Sequence, residues 1–491
     1  MTNYEFGFFN YLIIFIYLIV VVLIGIFSSR KPKTLNQFFL GERKISWIAV
    51  GMSMFASVTS ATTLIAVPAL VFYQNTSFLI FGISSICVAP IIIKFLYKKY
   101  HKNNLITSYQ FIQSRFGKSA KYITAALYVI FRLAWLGLVI YAPSIALNIT
   151  TGIPLIYCII IIGIFATLYT TIGGISAVIY TDVLQFVVLL IGTIWVFISL
   201  NFEINGSFFT IINDGQLAQK FNVFDWKNIS LLSVPLVGIH FFFQLMYDYG
   251  TDQITVQRMM STGSLKNTKK AIIFNAIADF IIISLLVFIG LGLFSFYKVN
   301  NLPEIINGDM LLPYYIITQL PNGLSGVIIA AIFAAAMSSL DSGLNSLTTV
   351  IMNDFKIIKN QSLINAKKIT VLLGTISIFS ALIIFKSDDL LIENFYNFMS
   401  LFCAPILSLF ILGSLTKFTT FQGWIFGLSI SILSIIWLKT MDSIHTMYLF
   451  TCSFLICTFV SIIMSLLLNF KNTYLKDDLR NMTKRIDENK S

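Results

Sequence analysis

Four aspartates and an arginine stand inside apolar stretches of this sequence: Arg132, Asp182, Asp248, Asp279 and Asp341. An ionised group at the centre of a bilayer costs about 2.5–3.5 kcal/mol even on the lenient insertion scale. Four acids against one base therefore leave a surplus of negative charge that a proton, a position near the interface or a bound cation must settle. Asp248 reads as a carboxylate near the cytoplasmic end of its stretch, and Asp279 as a hydrogen-bonded one about two turns into its own. Asp182 and Asp341 keep different company. Ser338, Asp341, Ser342 and Asn345 recur at spacings of three and four, so on a helix they share one face, with Ser339 at its edge. Small residues and hydroxyls alone would read as a helix-packing surface. A carboxylate and an amide in the same stripe turn it toward coordination of a hard cation, which takes several oxygen ligands. Ser57, Thr59, Ser60, Thr62 and Thr63, followed by Pro68, are a second oxygen-rich interruption of an apolar stretch.

Catalysis has little to work with. There are three histidines and no cluster of His, Cys and Glu. The five cysteines, Cys87, Cys158, Cys403, Cys452 and Cys457, lie in apolar runs at no metal-ligand or disulfide-framework spacing, which makes them packing residues. The sequence reads as a non-enzyme.

The elements that carry these residues follow from composition. Of 491 residues, 57% are hydrophobic and 11% charged, where soluble domains carry roughly 25% charged residues. This is an all-α integral membrane chain. Thirteen apolar stretches are long enough to span a bilayer, at approximately 10–28, 46–71, 77–97, 122–147, 153–171, 177–200, 229–249, 271–296, 322–353, 369–385, 394–415, 421–438 and 443–469. The first is no cleavable signal, because Arg30, Lys31 and Lys33 follow it and no base precedes it. With the N-terminus outside and the C-terminus inside, 27 of the 33 Lys and Arg residues fall on the cytoplasmic side and 5 outside, as the positive-inside rule requires. The net charge of +12 thus reports orientation in a lipid bilayer, and no nucleic-acid partner is expected. The tail from Lys471 to Ser491 is charged, cytoplasmic and too short for a catalytic domain.

Two spans are weakened, five apart. The second carries the Ser/Thr run. The seventh carries Pro235, Gly238 and His240 and ends in the polar run Gln244 to Gln253. Paired discontinuous helices are the mark of inverted five-helix repeats with binding sites at the breaks, where unwound backbone is tolerated because it lines a cavity.

The stretch from Gly173-Gly174 through Ala177-Val178 and Thr181-Asp182 to Gln185 resembles a characteristic segment of the sodium/solute symporter family. Phe38-Phe39-Leu40-Gly41, Tyr141-Ala142-Pro143, Thr251 to Arg258 and the serine-rich ninth span resemble other landmarks of it, in order over about residues 10–470. The resemblance implies a leucine-transporter-type fold with alternating access coupled to sodium. Residues 1–45 would form a first extra helix and linker, 46–200 and 229–415 the two repeats, 416–470 two further helices and 471–491 the tail. It implies a first sodium site from the carbonyls of Ala56, Thr59 and Ala335 and the hydroxyls of Ser338 and Ser339. A second site, as in members that resemble sialic acid transporters, would fall on Asp182, Ser338, Asp341 and Ser342. Asp341 departs from the hydroxyl residue usual there, so one or two ions are implied. Sodium would neutralise Asp182 and draw the ninth span against the second, favouring the outward-facing state.

The solute cavity should lie beside the breaks, lined by Ser60, Thr63, Arg132, Trp135, Phe242, Gln244 and Tyr247. If Arg132 faces it, its planar fork would grip a carboxylate, and the solute would be sialic acid, another sugar acid or a monocarboxylate. Arg132 as structural partner of Asp279 or another buried acid is the competing reading, and by ungapped register the arginine of sialic-acid-type members falls nearer Trp135. A neutral sugar or polyol, and proton coupling through Asp182 and Asp341, stand as alternatives. The transporter is expected to work as a monomer.

Overall fold

The computed structural model describes residues 7–28, 35–172, 175–204, 208–224, 232–300, 302–303, 308–355, 362–385, 391–441 and 444–488. Gly173 and Gly174, the basic residues Arg30, Lys31 and Lys33, and the last three residues of the tail lie outside that set. Regular structure among the described residues is helical. The principal helices are α1 (Phe8–Ser28), α2 (Trp47–Val58), α3 (Ala61–Tyr73), α4 (Ile80–Ile92), α5 (Lys118–Thr151), α6 (Leu155–Ile172), α7 (Ile175–Glu203) and α8 (Val234–Gly250). They continue with α9 (Gln253–Ser261), α10 (Leu265–Val299), α11 (Leu324–Val350), α12 (Leu363–Ile384), α13 (Leu391–Phe398), α14 (Ala404–Leu415), α15 (Phe421–Met441) and α16 (Leu449–Glu488). Among the described residues, nine helices are long and apolar enough to cross a membrane, and the pair α2 and α3 makes a tenth span bent by 57°. The other expected spans fall on α1, α6 and α8, which are helical but do not meet that length and hydropathy over their described residues.

Peripheral helices turn large apolar side chains outward, among them Leu433, Trp437, Phe459, Leu467 and Ile383. That is the arrangement of a chain whose solvent is lipid. The centre is α11, buried along nearly its whole length from Ser325 to Val350 and packed on α1, α2, α5, α6, α7 and α12. Its Ala, Ser and Gly residues permit this, since small side chains let neighbouring backbones approach in a membrane. α10 lies along α2, α3, α4 and α7. A Cβ on its Gly290 would stand 2.7 Å from the Pro68 carbonyl oxygen, so glycine there sets the spacing of α10 and α3.

Both weakened spans are broken, each for a local reason. At Thr59 and Ser60 the chain is extended, with ψ of 90° and 169°. The N–H groups that would close on the carbonyls from Ala56 to Thr59 leave helical register. Ser60 Oγ caps α3 by accepting from the Thr63 N–H at 3.4 Å, the competition with backbone that makes Ser and Thr poor helix-interior residues. The seventh span breaks at Thr251 and Asp252, where Asp252 caps α9 by accepting from the Ile254 N–H at 2.8 Å. Tyr97 and Tyr100 donate to the carbonyls of Tyr249 (2.7 Å) and Gly250 (2.8 Å), satisfying the orphaned end of α8.

α8 ends at Gly250, and α9, whose nine residues are all buried, follows it. Thr255, Gln257 and Arg258 read as loop because they are polar, but their partners are inside the protein.

Candidate ion and solute site

Where α2, α7, α9 and α11 meet, buried side chains form one polar knot. Ser53 donates to Asp182 Oδ2 at 2.5 Å, and Arg258 Nη2 donates to the same oxygen at 3.1 Å. Arg258 Nε donates to Ser53 Oγ at 2.8 Å and Nη2 also reaches Ser342 Oγ. Ser57 Oγ lies 2.8 Å from Ser342 Oγ, 3.4 Å from Ser338 Oγ and 3.4 Å from Asp182 Oδ2. Ser339 donates to the Ser57 carbonyl at 3.2 Å. The break in the second span and the serine stripe of α11 are thereby brought into contact, with hydroxyls and carbonyl oxygens concentrated between them.

Of the residues expected at two ion sites, Ser338, Ser339 and Ser342 face Ser57 beside the break that carries Ala56 and Thr59, and Asp182 joins them from α7. Ala335 is buried one turn back on α11. Asp341 accepts from Thr170 on α6. The i, i+3, i+4 spacing that placed it with Ser338 and Ser342 spans an arc wide enough for its edge to meet a different neighbour. Arg258 stands where the second ion was expected.

The other membrane charges are also placed. Asp279 accepts from Asn275 Nδ2 at 3.0 Å and from Tyr249, so it is a hydrogen-bonded packing group. Arg132 is ion-paired with Asp252, not Asp279, and its guanidinium lies 4.3 Å from the centre of the Trp135 ring. Asp248, two residues before the end of α8, lines the central cavity.

That cavity begins at the break in the second span, at Ser57 to Ser60, and runs between α3, α5 and α8. Ser60, Thr63, Arg132, Trp135 and Gln244 are among the residues that line it. Phe242 and Tyr247 are not: Phe242 packs on Phe243 at 5.4 Å and Tyr247 is buried against Phe131 at 6.3 Å. Helical phase explains both, because Gln244 and Asp248, one turn apart, take the cavity face of α8. His240 Nε2 lies 2.8 Å from Gln244 Oε1, and Gln244 Nε2 donates to Asp248 Oδ2 at 3.3 Å, a ladder along that face. Phe78, Phe81, Phe395 and Tyr396 complete the wall. Toward the Tyr73 end of α3 an adjoining space is lined by Asp309, Glu393 and His445. Asp309, in the connection from α10 to α11, is pushed up to about 6 by burial and by Glu393, against the bond it accepts from the Leu391 N–H. The opposite end is sealed by α9, where Gln257 Nε2 lies 2.8 Å from the Phe39 carbonyl, 2.8 Å from Asn345 Oδ1 and 3.0 Å from Thr349 Oγ1.

Residues 38–431 match the model of the sodium:solute symporter family. The chain belongs to that family. Within it, the chain is 29% identical to the sodium/sialic acid symporter NanT of Aliivibrio fischeri, over 91% of this chain and 90% of the relative. It is 30% identical to the sodium/sialic acid symporter SiaT of Proteus mirabilis, over 89% and 90%. Sodium-coupled monocarboxylate transporter 2 of Bos taurus is 29% identical, over 84% of this chain and 69% of that protein. A solved structure of a sodium-coupled sialic acid symporter, substrate-bound and outward-open, superposes with a TM-score of 0.86 at 27% identity, covering 94% of this chain and 98% of that one. The Mhp1 transporter of the nucleobase-cation-symport-1 family, at TM-score 0.58 and 13% identity over 87% and 93%, shares the fold. These relatives are transporters, and this sodium:solute symporter family chain is a multi-pass membrane protein.

Two groups at the site escaped the sequence reading. Arg258 was counted with a cytoplasmic loop, and its signal was the alternation of Ile254 and Val256 with Thr255 and Gln257 ahead of Met259 and Met260, too amphipathic for a loop. The aromatic wall from α13 and from Phe78 and Phe81 had no signal beyond ordinary apolar composition.

Proposed function

We propose that the protein is a sodium-coupled symporter that imports a small organic solute by alternating access, through thirteen spans with the N-terminus outside and the C-terminus inside, as a monomer. The observation that carries the reading is the contact between the unwound second span and α11, where Ser339 Oγ lies 3.2 Å from the Ser57 carbonyl. The relatives named for sodium coupling support it. Carbonyls of Ala56, Thr59 and Ala335 with hydroxyls of Ser338 and Ser339 would supply one sodium with five oxygens. Sodium there ties the second span to α11 and favours the state open at the Tyr73 end, which is the outer end in this orientation. The cavity's continuation toward Asp309, against the seal of α9, supports that assignment. Each charge that enters down the potential gains about 2.3 kcal/mol per 100 mV.

A second ion on Asp182, Ser338 and Ser342 requires Arg258 to withdraw, since the guanidinium already neutralises Asp182. One sodium per cycle is the reading this geometry supports. The same pair weakens proton coupling through Asp182, a carboxylate that has its counter-ion. A carboxylated solute draws support from the relatives' names, but it must take Arg132 from Asp252.

The test is the thermal transition of purified protein in detergent, titrated with sodium against potassium at constant ionic strength and at two pH values. A ligand of the folded state alone stabilises by mass action. A saturable, sodium-specific rise that disappears in Ser339→Ala is expected. Equal responses to both cations, with pH alone moving the transition, would reject sodium coupling in favour of protons.

A further inference from the structure

The charges lining the cavity identify a class of solute, granted that the chain is a symporter. Among the described lining residues the ionisable groups are Arg132, Asp248 and Asp252. Arg132 is committed to Asp252 and stacked on Trp135. Asp252 is itself committed twice, because its other oxygen caps α9 through the Ile254 N–H at 2.8 Å. A solute carboxylate that claimed Arg132 would leave Asp252 buried without its counter-ion, the situation in which a broken buried pair is strongly destabilising.

Asp248 is in the opposite position. It is half-buried on the cavity wall, and the contact it makes is a long hydrogen bond from Gln244 Nε2 at 3.3 Å. The ladder orients that contact, because His240 holds the Gln244 oxygen at 2.8 Å and so turns the amide nitrogen to the carboxylate. With Arg132 paired to Asp252, Asp248 is the carboxyl among the described lining residues that makes no ion pair. Around it stand aromatic rings, with Phe78 and Phe81 stacked 5.9 Å apart and Tyr396 joined to the ladder through His240 at 5.1 Å. The approach adds two more acids, Asp309 and Glu393, and its base is His445. A carboxylate set among aromatic faces is the environment that recognises a positively charged nitrogen, by charge and by cation–π attraction.

We infer that the solute is a small organic ammonium compound, zwitterions included, whose nitrogen is the counter-ion of Asp248. The aromatic wall covers its methyl or methylene groups. Sodium and solute then occupy different anionic environments, the oxygen-rich break for the ion and Asp248 for the nitrogen.

The test uses the full chain in detergent at saturating sodium, with choline, glycine betaine and β-alanine as ammonium probes. Controls are 3,3-dimethylbutan-1-ol, the neutral isostere of choline, and N-acetylneuraminate and pyruvate as carboxylates without a charged nitrogen. At least one ammonium probe is expected to raise the transition saturably, and its half-saturating concentration should rise at least about tenfold in Asp248→Asn and recover in part in Asp248→Glu. The response of Asp248→Asn to sodium alone should persist, which shows that the variant is folded. The inference is overturned if no ammonium probe acts on protein that still responds to sodium, if only the carboxylates act, or if Asp248→Asn binds the ammonium probe as tightly as before. Loss of sodium specificity in the unaltered protein is a separate result, and it counts against the symporter reading itself.

Discussion

Two arginines hold buried carboxylates on either side of the site, Arg132 on Asp252 at the break in the seventh span and Arg258 on Asp182 of α7. Removing one partner from such a pair costs about 3–5 kcal/mol, so Arg258→Gln should lower the unfolding transition markedly in sodium-free buffer. It should also make the protein more responsive to sodium, because Asp182 is then free to take a cation beside Ser338 and Ser342. Thermal denaturation across a sodium titration measures both, and an equal loss at every sodium concentration would speak against Arg258 as occupant of the second site. Asp309 gives a pH dependence. Its folded value near 6 lies above the ordinary carboxylate value of about 3.9, so its contribution is fully present below the latter and lost as pH rises through the former. Between pH 7 and pH 5 it should add about 1 kcal/mol, seen as a transition that rises on acidification and flattens in Asp309→Asn. Asp182 and the serine stripe were legible as isolated polar residues in apolar surroundings. Their partners were not, because a sequence shows that a buried charge needs compensation without showing which distant residue supplies it.

The helices were more legible than the contacts, and the two breaks show why. At Thr59 and Ser60 the hydroxyl run inside apolar sequence betrays the interruption directly. At Thr251 and Asp252 the interruption was placed at a span end, because α9 satisfies Gln257 and Arg258 from α2, α7 and α11 and so carries a composition that elsewhere belongs in water. The close approach of α10 to α3 was also hidden, since Gly290 and Gly292 look alike in sequence. Gly290→Ala sets a Cβ 2.7 Å from the backbone oxygen of Pro68, whereas Gly292→Ala meets the Leu200 side chain at 3.1 Å. Overpacking typically costs about 1–3 kcal/mol. Gly290→Ala should reach that range and Gly292→Ala should stay below it, because a leucine can turn aside and a backbone carbonyl cannot. Paired melting curves would check the contrast, and equal losses would show that α3 yields as readily as a side chain.

At the scale of the molecule the orientation proposed from the distribution of basic residues is one that labelling can read. In a background with the five native cysteines replaced, Gln216→Cys, exposed after α7, should react with an impermeant maleimide in intact cells. Lys269→Cys, exposed at the start of α10, should react only after permeabilisation. The reverse pattern would invert the topology. The break under the cavity has a consequence for how tightly uptake is geared to the ion gradient. Asp252 is at once the counter-ion of Arg132 and the residue that starts α9, so the floor of the cavity and the inner plug are held by one carboxylate. Whatever draws Asp252 away from the arginine also frays the first turn of the plug. Variants selected for a broader diet by rebuilding this pair should therefore become leaky, passing sodium without cargo, and selectivity and thrift in this carrier are properties of the same few atoms.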